Sequence, residues 1–170
     1  MALRTFEVSG DSALDHAVVD LRRVSRTMKG GRRFRFRAAV VVGDKKGQVG
    51  FALQKGKDAQ SAIQKAQTAA RKHLRSIPRS GRTISHVVKA RYRGAEVLLK
   101  PAPSGTGIIA GGPLRSLVSL AGIQDVSSKL LGSRNKVNVV RAALEALASL
   151  KPSEKTSDGQ SEEPGVPRSS

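Results

Sequence analysis

A chain of 170 residues with a net charge of +18 calls for a polyanionic partner, nucleic acid before anionic membrane. The lack of Cys excludes disulfides and thiolate zinc sites, and an aromatic content of 3% argues against RNA platforms that stack bases. His16, His73 and His86 are too scattered for a metal motif, no apolar run is long enough to span a membrane, and the first residues lack a signal-peptide core, so a cytoplasmic location is expected.

In chain order, residues 1–14 are expected to form a flexible N-terminal extension. Residues 18–27 are rich in β-formers, although their alternation is not clean. In 33–42 the alternation is clear: Phe34, Phe36, Ala38, Val40 and Val42 share one face and Arg33, Arg35 and Arg37 the other. A Gly-bounded turn at 43–47 leads to a third strand over 48–54. Ala59, Ala62, Ile63, Ala66, Ala70 and Leu74 then recur with helical period, which predicts a helix over 58–74 with Asp58 as its capping carboxylate. The first unit, 15–77, therefore reads as β-β-β-α.

Residues 78–82 read as a linker. Strands are expected over 83–92 and 95–102, joined by a turn at Arg93-Gly94. A short helix should begin with Pro113 at its first position and stop before Gly122. A further strand over 124–131 and a helix from Asn135 complete a second unit, 83–150, read as β-β-α-β-α. The tail 151–170 is polar, Pro- and Gly-rich, and is expected to be disordered. It holds three basic and four acidic residues, leaving 28 against 9 in the first 150. The class is thus α+β, with two small domains whose size makes each marginal alone, so that they should pack together or lean on a partner.

The densest signal is RRVSRTMKGGRRFRFR, residues 22–37: eight Lys or Arg and no acid. Self-repulsion on this scale is unfavourable without phosphates to offset it. Arg22, Arg23, Arg26, Lys29, Arg32, Arg33 and Arg35 are the candidate phosphate ligands. Gly30 and Gly31 suit a tight tip that can approach RNA closely. A second cluster comprises Lys45, Lys46, Lys55, Lys57, Lys65, Arg71 and Lys72; of these, Lys55 and Lys57 are taken as RNA-binding. GTGIIAGG, residues 105–112, imitates a dinucleotide fingerprint, with Asp125 near the spacing of its ribose-binding acid. That motif must close a strand and open a helix, and here PAPS intervenes, so a glycine-rich surface for a macromolecule is the preferred reading. No catalytic constellation is visible.

VSRTMKGGRRFRFRAAVVVGDKKGQVGF, AIQKAQTAARK, GTGIIAGG and GSRNKVNVVRAALEAL follow in that order. Over residues 18–150 they resemble the bacterial-type fifth protein of the small ribosomal subunit. The resemblance implies a first domain like a double-stranded-RNA-binding fold without its leading helix, and a second of the ribosomal-protein-five domain-two type. It implies binding of small-subunit ribosomal RNA near the junction of body and head. It also implies contacts with the fourth and eighth small-subunit proteins, a place near the third at the messenger entry channel, and an influence on translational accuracy. Residues 25–32, Ser25 and Thr27 among them, match a loop that reaches ribosomal RNA. Gly107 and Arg115 match positions at the fourth-protein interface. No metal, cofactor, membrane span, catalytic residue or small-molecule substrate is implied. A small nucleotide-binding enzyme built on GTGIIAGG and a free RNA chaperone are the competing readings.

Overall fold

In the computed structural model, which describes residues 14–151, eleven elements follow one another. They are β1 (Asp15–Met28), β2 (Gly31–Gly43), β3 (Gln48–Gly56), α1 (Ala59–Arg71), β4 (Leu74–Ser76), β5 (Val88–Tyr92), β6 (Ala95–Pro101), β7 (Ile108–Ile109), α2 (Gly112–Leu120), β8 (Val126–Gly132) and α3 (Lys136–Ala148). The expectations for the N-terminal extension and the tail lie, but for Leu14 and Lys151, outside the described residues.

The α+β class and its two units hold, and each unit gains a short strand. The first sheet has the order β1-β2-β3-β4, all antiparallel. Its fourth strand begins at Leu74, the last residue of the expected helix. Leu74 is in phase with the apolar face of α1, but the helix stops at Arg71, and Leu74 pairs with Gly50 of β3. The second sheet has the order β5-β6-β8-β7, and β7 runs parallel to β8 through α2. Residues 83–87 are not strand; Thr83 instead bridges Ser80, and β5 begins only at Val88.

Small residues set the packing of α1. Ala62, Ala66 and Ala70 are fully buried against Ala38, Val40, Val42 and Ala52. A Cβ at Gly50 would collide with the Ala70 carbonyl, and one at Gly56 with the backbone of Ala62. Asp58 occupies the N-cap, but its side chain makes no capping hydrogen bond; its carbonyl accepts from Ala62 N at 3.0 Å. Pro113 falls one position inside the start of α2, which begins at Gly112. Gly122 follows the C-cap of α2 with φ +77°, and Asn135 caps α3 by accepting from Val137 N.

The first sheet is buried on both faces over its inner half. Its second face contributes Val41 and Val49 to the main core, together with Leu114, Leu117 and Val118 of α2, Val140 and Leu147 of α3, and Val97 and Leu99 of β6. Helices α2 and α3 therefore lie between the two sheets, while α1 covers the outside of the first. The two units share one continuous core, which offsets the small size of each.

Candidate nucleic-acid interface

Strands β1 and β2 outrun the rest of their sheet. The last pair between β2 and β3 is Phe36–Gly56, yet β1 and β2 stay paired out to Met28–Gly31. The result is a two-stranded ribbon roughly 20 Å beyond the core, at about 3.3 Å per residue. Phe34, expected on the buried face, is 48% exposed, because the ribbon at that point has passed the end of α1. Met28 is exposed for the same reason, whereas Leu21 pairs with buried Ala38 and is exposed on the edge strand.

The register sorts the arginines. Arg22 faces Arg37, Val24 faces Arg35, and Arg26 faces Arg33. With side chains alternating, these six residues share one face, so five guanidiniums project together. The opposite face carries Arg23, Ser25, Thr27, Arg32, Phe34 and Phe36, and the Arg23 guanidinium lies 4.4 Å from the centre of the Phe34 ring. This arrangement depends on a bulge. The pairing shifts between Val18 and Asp20, leaving Val19 extra, and both Ala17 and Val19 pack on the main core. A shift of one residue exchanges the faces of everything that follows. Without it, Arg22 and Arg26 would point away from Arg33, Arg35 and Arg37, and Arg23 alone of β1 would join them.

One acid stands at the root of this face. Asp20, 8% exposed, accepts from Arg22 Nε at 2.9 Å and lies 3.3 Å from Lys136 Nζ of α3 and 4.0 Å from Arg37. Arg22 and Arg37 are thereby tied to the scaffold. No carboxylate among the described residues lies within salt-bridge distance of Arg26, Lys29, Arg32, Arg33 or Arg35. At the tip the two glycines differ. Gly31 has φ +130°, which L side chains rarely adopt, while Gly30 has no such constraint; neither has a neighbouring atom within 4 Å of where a Cβ would be. The backbone requires Gly31, and the bare surface of Gly30 leaves room for a close partner.

The second basic cluster does not stay together. Lys55 pairs with Arg37 and so extends the arginine face, and Lys57 follows just beyond the end of β3. Lys45 and Lys46 belong to the turn at the opposite end of the sheet. There Asp44 accepts from the amides of Lys46 and Gln48, and Lys45 is bridged to Asp15. Four cations passed over in the sequence share the outer face of the second sheet: Lys89, Arg91, Lys100 and Lys129, with Glu96 among them. Their signal is the alternation in VKARY and EVLLK, visible once the pairing is known.

The glycine-rich segment is committed internally. Asp125, 1% exposed, accepts from Gly105 N (3.1 Å) and Gly107 N (2.9 Å) through Oδ1 and from Arg82 Nε (3.0 Å) through Oδ2. The amide of Gly107, first, and Arg82 hold its carboxyl below the usual value against the opposing effect of burial. In a dinucleotide fingerprint the glycines follow a strand and their amides face the ligand. Here they precede β7, and both amides are bonded to the acid that the spacing assigned to a ribose. Gly107 and Arg115 come together: Gly107 has φ +74°, and Arg115 Nη2 donates to the carbonyl of Ile108 at 3.3 Å. Arg115, Arg79 and Lys45 line a cleft of about 770 Å³ between the two units. Among the described residues no three His, Asp or Glu groups gather as a metal site.

Two family models match the chain. The model described as ribosomal protein S5, N-terminal domain, matches residues 14–78. The model described as ribosomal protein S5, C-terminal domain, matches residues 90–159.

Proposed function

The chain belongs to the ribosomal protein S5 family, structural constituents of the ribosome that bind ribosomal RNA, and from that premise we propose that the β1–β2 ribbon is its principal RNA-binding element. The observation that carries this reading is the register that gathers Arg26, Arg33 and Arg35 on one face without a carboxylate in reach. Lys55 extends that face at its base, and Lys29, Gly30, Gly31 and Arg32 form the tip. Ser25 and Thr27 offer hydroxyls on the opposite face. The mechanism is charge neutralisation and shape fitting: the ribbon enters a groove or junction of folded RNA and its guanidiniums bridge converging phosphates. Arg22 and Arg23 contribute less, being engaged by Asp20 and Phe34.

In the finer reading, the protein helps assemble the junction of body and head of the small subunit in the cytoplasm and borders the messenger entry region near the third protein. It contacts the fourth and eighth proteins and supports translational accuracy. The surface around Gly107 and Arg115 is the one offered to the fourth protein. In support, the Asp125 clamp holds this loop in one conformation, as a protein interface needs. The proposal also assigns residues 15–77 and 83–150 as the two domains joined through 78–82.

The test is the salt dependence of binding to a small-subunit RNA fragment. Replacing Arg26, Arg33 and Arg35 with Ala should reduce the slope of log K against log salt by roughly 0.7–0.9 for each phosphate no longer neutralised. Replacing Arg23 alone should change it less. An unchanged slope in the triple variant would remove the ribbon from this role, and failure of the intact chain to co-sediment with small subunits would contradict the assembly reading.

A further inference from the structure

Past Gly50, the outer edge of β3 carries no strand among the described residues. β4 pairs only with Gln48, Val49 and Gly50, whereas β2 follows β3 on the other side as far as Gly56. Ile77 N donates to the Gly47 carbonyl at 2.7 Å. In an antiparallel ladder this sets the alternation, so the amides and carbonyls of Phe51, Leu53 and Lys55 point away from β2. Phe51 and Leu53 form the floor of a cleft of about 710 Å³ between the C-terminal turn of α1 and helix α3.

The walls of this cleft have a definite chemistry. Tyr92 and Leu144 supply apolar surface opposite the edge. Lys72, Arg75 and Arg141 stand around it, with Glu145 the one acid in the lining. Arg141 is held in place: its Nη1 donates to the Tyr92 hydroxyl at 2.6 Å, and its guanidinium lies 5.3 Å from the centre of the ring.

We propose that this edge is a β-addition site for an extended protein segment of alternating apolar and acidic residues. An open strand edge presents donors and acceptors in turn. A peptide backbone satisfies both in register, whereas a ribose-phosphate chain offers mostly acceptors and its 2′-hydroxyl donors do not recur at the spacing of the outward carbonyls. The cationic walls select acidic side chains, and Tyr92 and Leu144 select apolar ones at alternate positions of the added strand. The site meets the arginine face only at Lys55, whose side chain extends that face while its outward amide belongs to the edge, and the inference does not depend on the RNA reading.

The experiment uses the full chain and three short labelled peptides: one alternating valine and glutamate, one alternating valine and lysine, and the first again with alternate amides N-methylated. Anisotropy should show saturable binding of the valine–glutamate peptide alone. Hydrogen exchange at the amides of Phe51, Leu53 and Lys55 should be fast in the free chain and slow with that peptide. Leu53→Pro removes one outward N–H without touching the β2 ladder. It should weaken binding at least tenfold, the loss expected for an unmade hydrogen bond together with part of the cleft floor, while the folded circular dichroism spectrum is retained. Equal binding of the N-methylated peptide to the unaltered chain would reduce the effect to non-specific charge and overturn the proposal, whether or not Leu53→Pro folds. So would amides already protected in the free chain, or protected by RNA and not by the peptide.

Discussion

Asp125 and Asp20 are the two buried acids among the described residues, and each is held by groups distant in sequence. For Asp125 this has a consequence for pH. The Gly107 amide and Arg82 stabilise the ionised carboxyl, so its folded-state pKa lies below the ordinary 3.8. The unfolded chain therefore binds its proton at higher pH than the folded one. The stabilisation is complete above the ordinary value and lost as pH falls through the lowered one. Thermal melts at falling pH should show Asp125→Asn less stable than the parent in neutral buffer, with the difference narrowing in acid. A constant gap at every pH would mean that ionisation of Asp125 contributes nothing. The same residue shows how far a sequence can be read. Its distance from Gly105 matches a ribose-binding acid, and counting alone does not show that the glycines precede the strand. That order became visible only with β7, two residues long and too short for any periodicity to reveal.

At the scale of elements, the strong periods were legible and the tertiary choices were not. The strand of β2 and the alanine stripe of α1 each appear where local pattern placed them, although β2 is buried on both faces from Ala38 onward and exposed on both before Phe36. In β1 the alternation reads poorly since it changes phase at Val19, which the bulge tucks into the core beside Ala17. The end of α1 is not legible in the sequence because Leu74 suits a helix face as well as a strand; what decides is its pairing with Gly50. The arginine face was half legible: β2 displays its three arginines in sequence, whereas the addition of Arg22 and Arg26 requires the register. The closeness of α1 and β3 is testable. A methyl group at Gly50 would meet the Ala70 carbonyl. Gly50→Ala should therefore cost roughly 1–3 kcal/mol, the usual range for overpacking, measured by urea unfolding. Gly30→Ala, at the open ribbon tip, should leave stability unchanged, so a comparable loss there would show that packing is not the cause.

At the scale of the whole molecule, the question is whether two units behave as one. The core that joins Val41 and Val49 to α2, α3 and β6 argues that they do, since neither unit can expose that surface cheaply in water. The polar contacts agree. Lys45 N, in the turn between β2 and β3, donates to the Leu120 carbonyl at 3.0 Å and so satisfies the end of α2 from the other unit. The Asp20–Lys136 bridge ties β1 to the start of α3. The approach of the β2–β3 turn to α2 is close enough that a Cβ at Gly122 would fall inside the Lys45 carbonyl, and Gly122 also has φ +77°. Gly122→Ala is thus opposed both by backbone conformation and by the neighbouring unit. The parent should unfold in one transition, with circular dichroism and Tyr92 fluorescence coinciding. The variant should melt several degrees lower, with the two probes separating as the first sheet loosens from α2 while β5, which carries Tyr92, stays folded. If the variant instead kept coincident probes at a lowered midpoint, the strain at Gly122 would be local to α2. A parent that already melted in two steps would mean that the shared core does not couple the units.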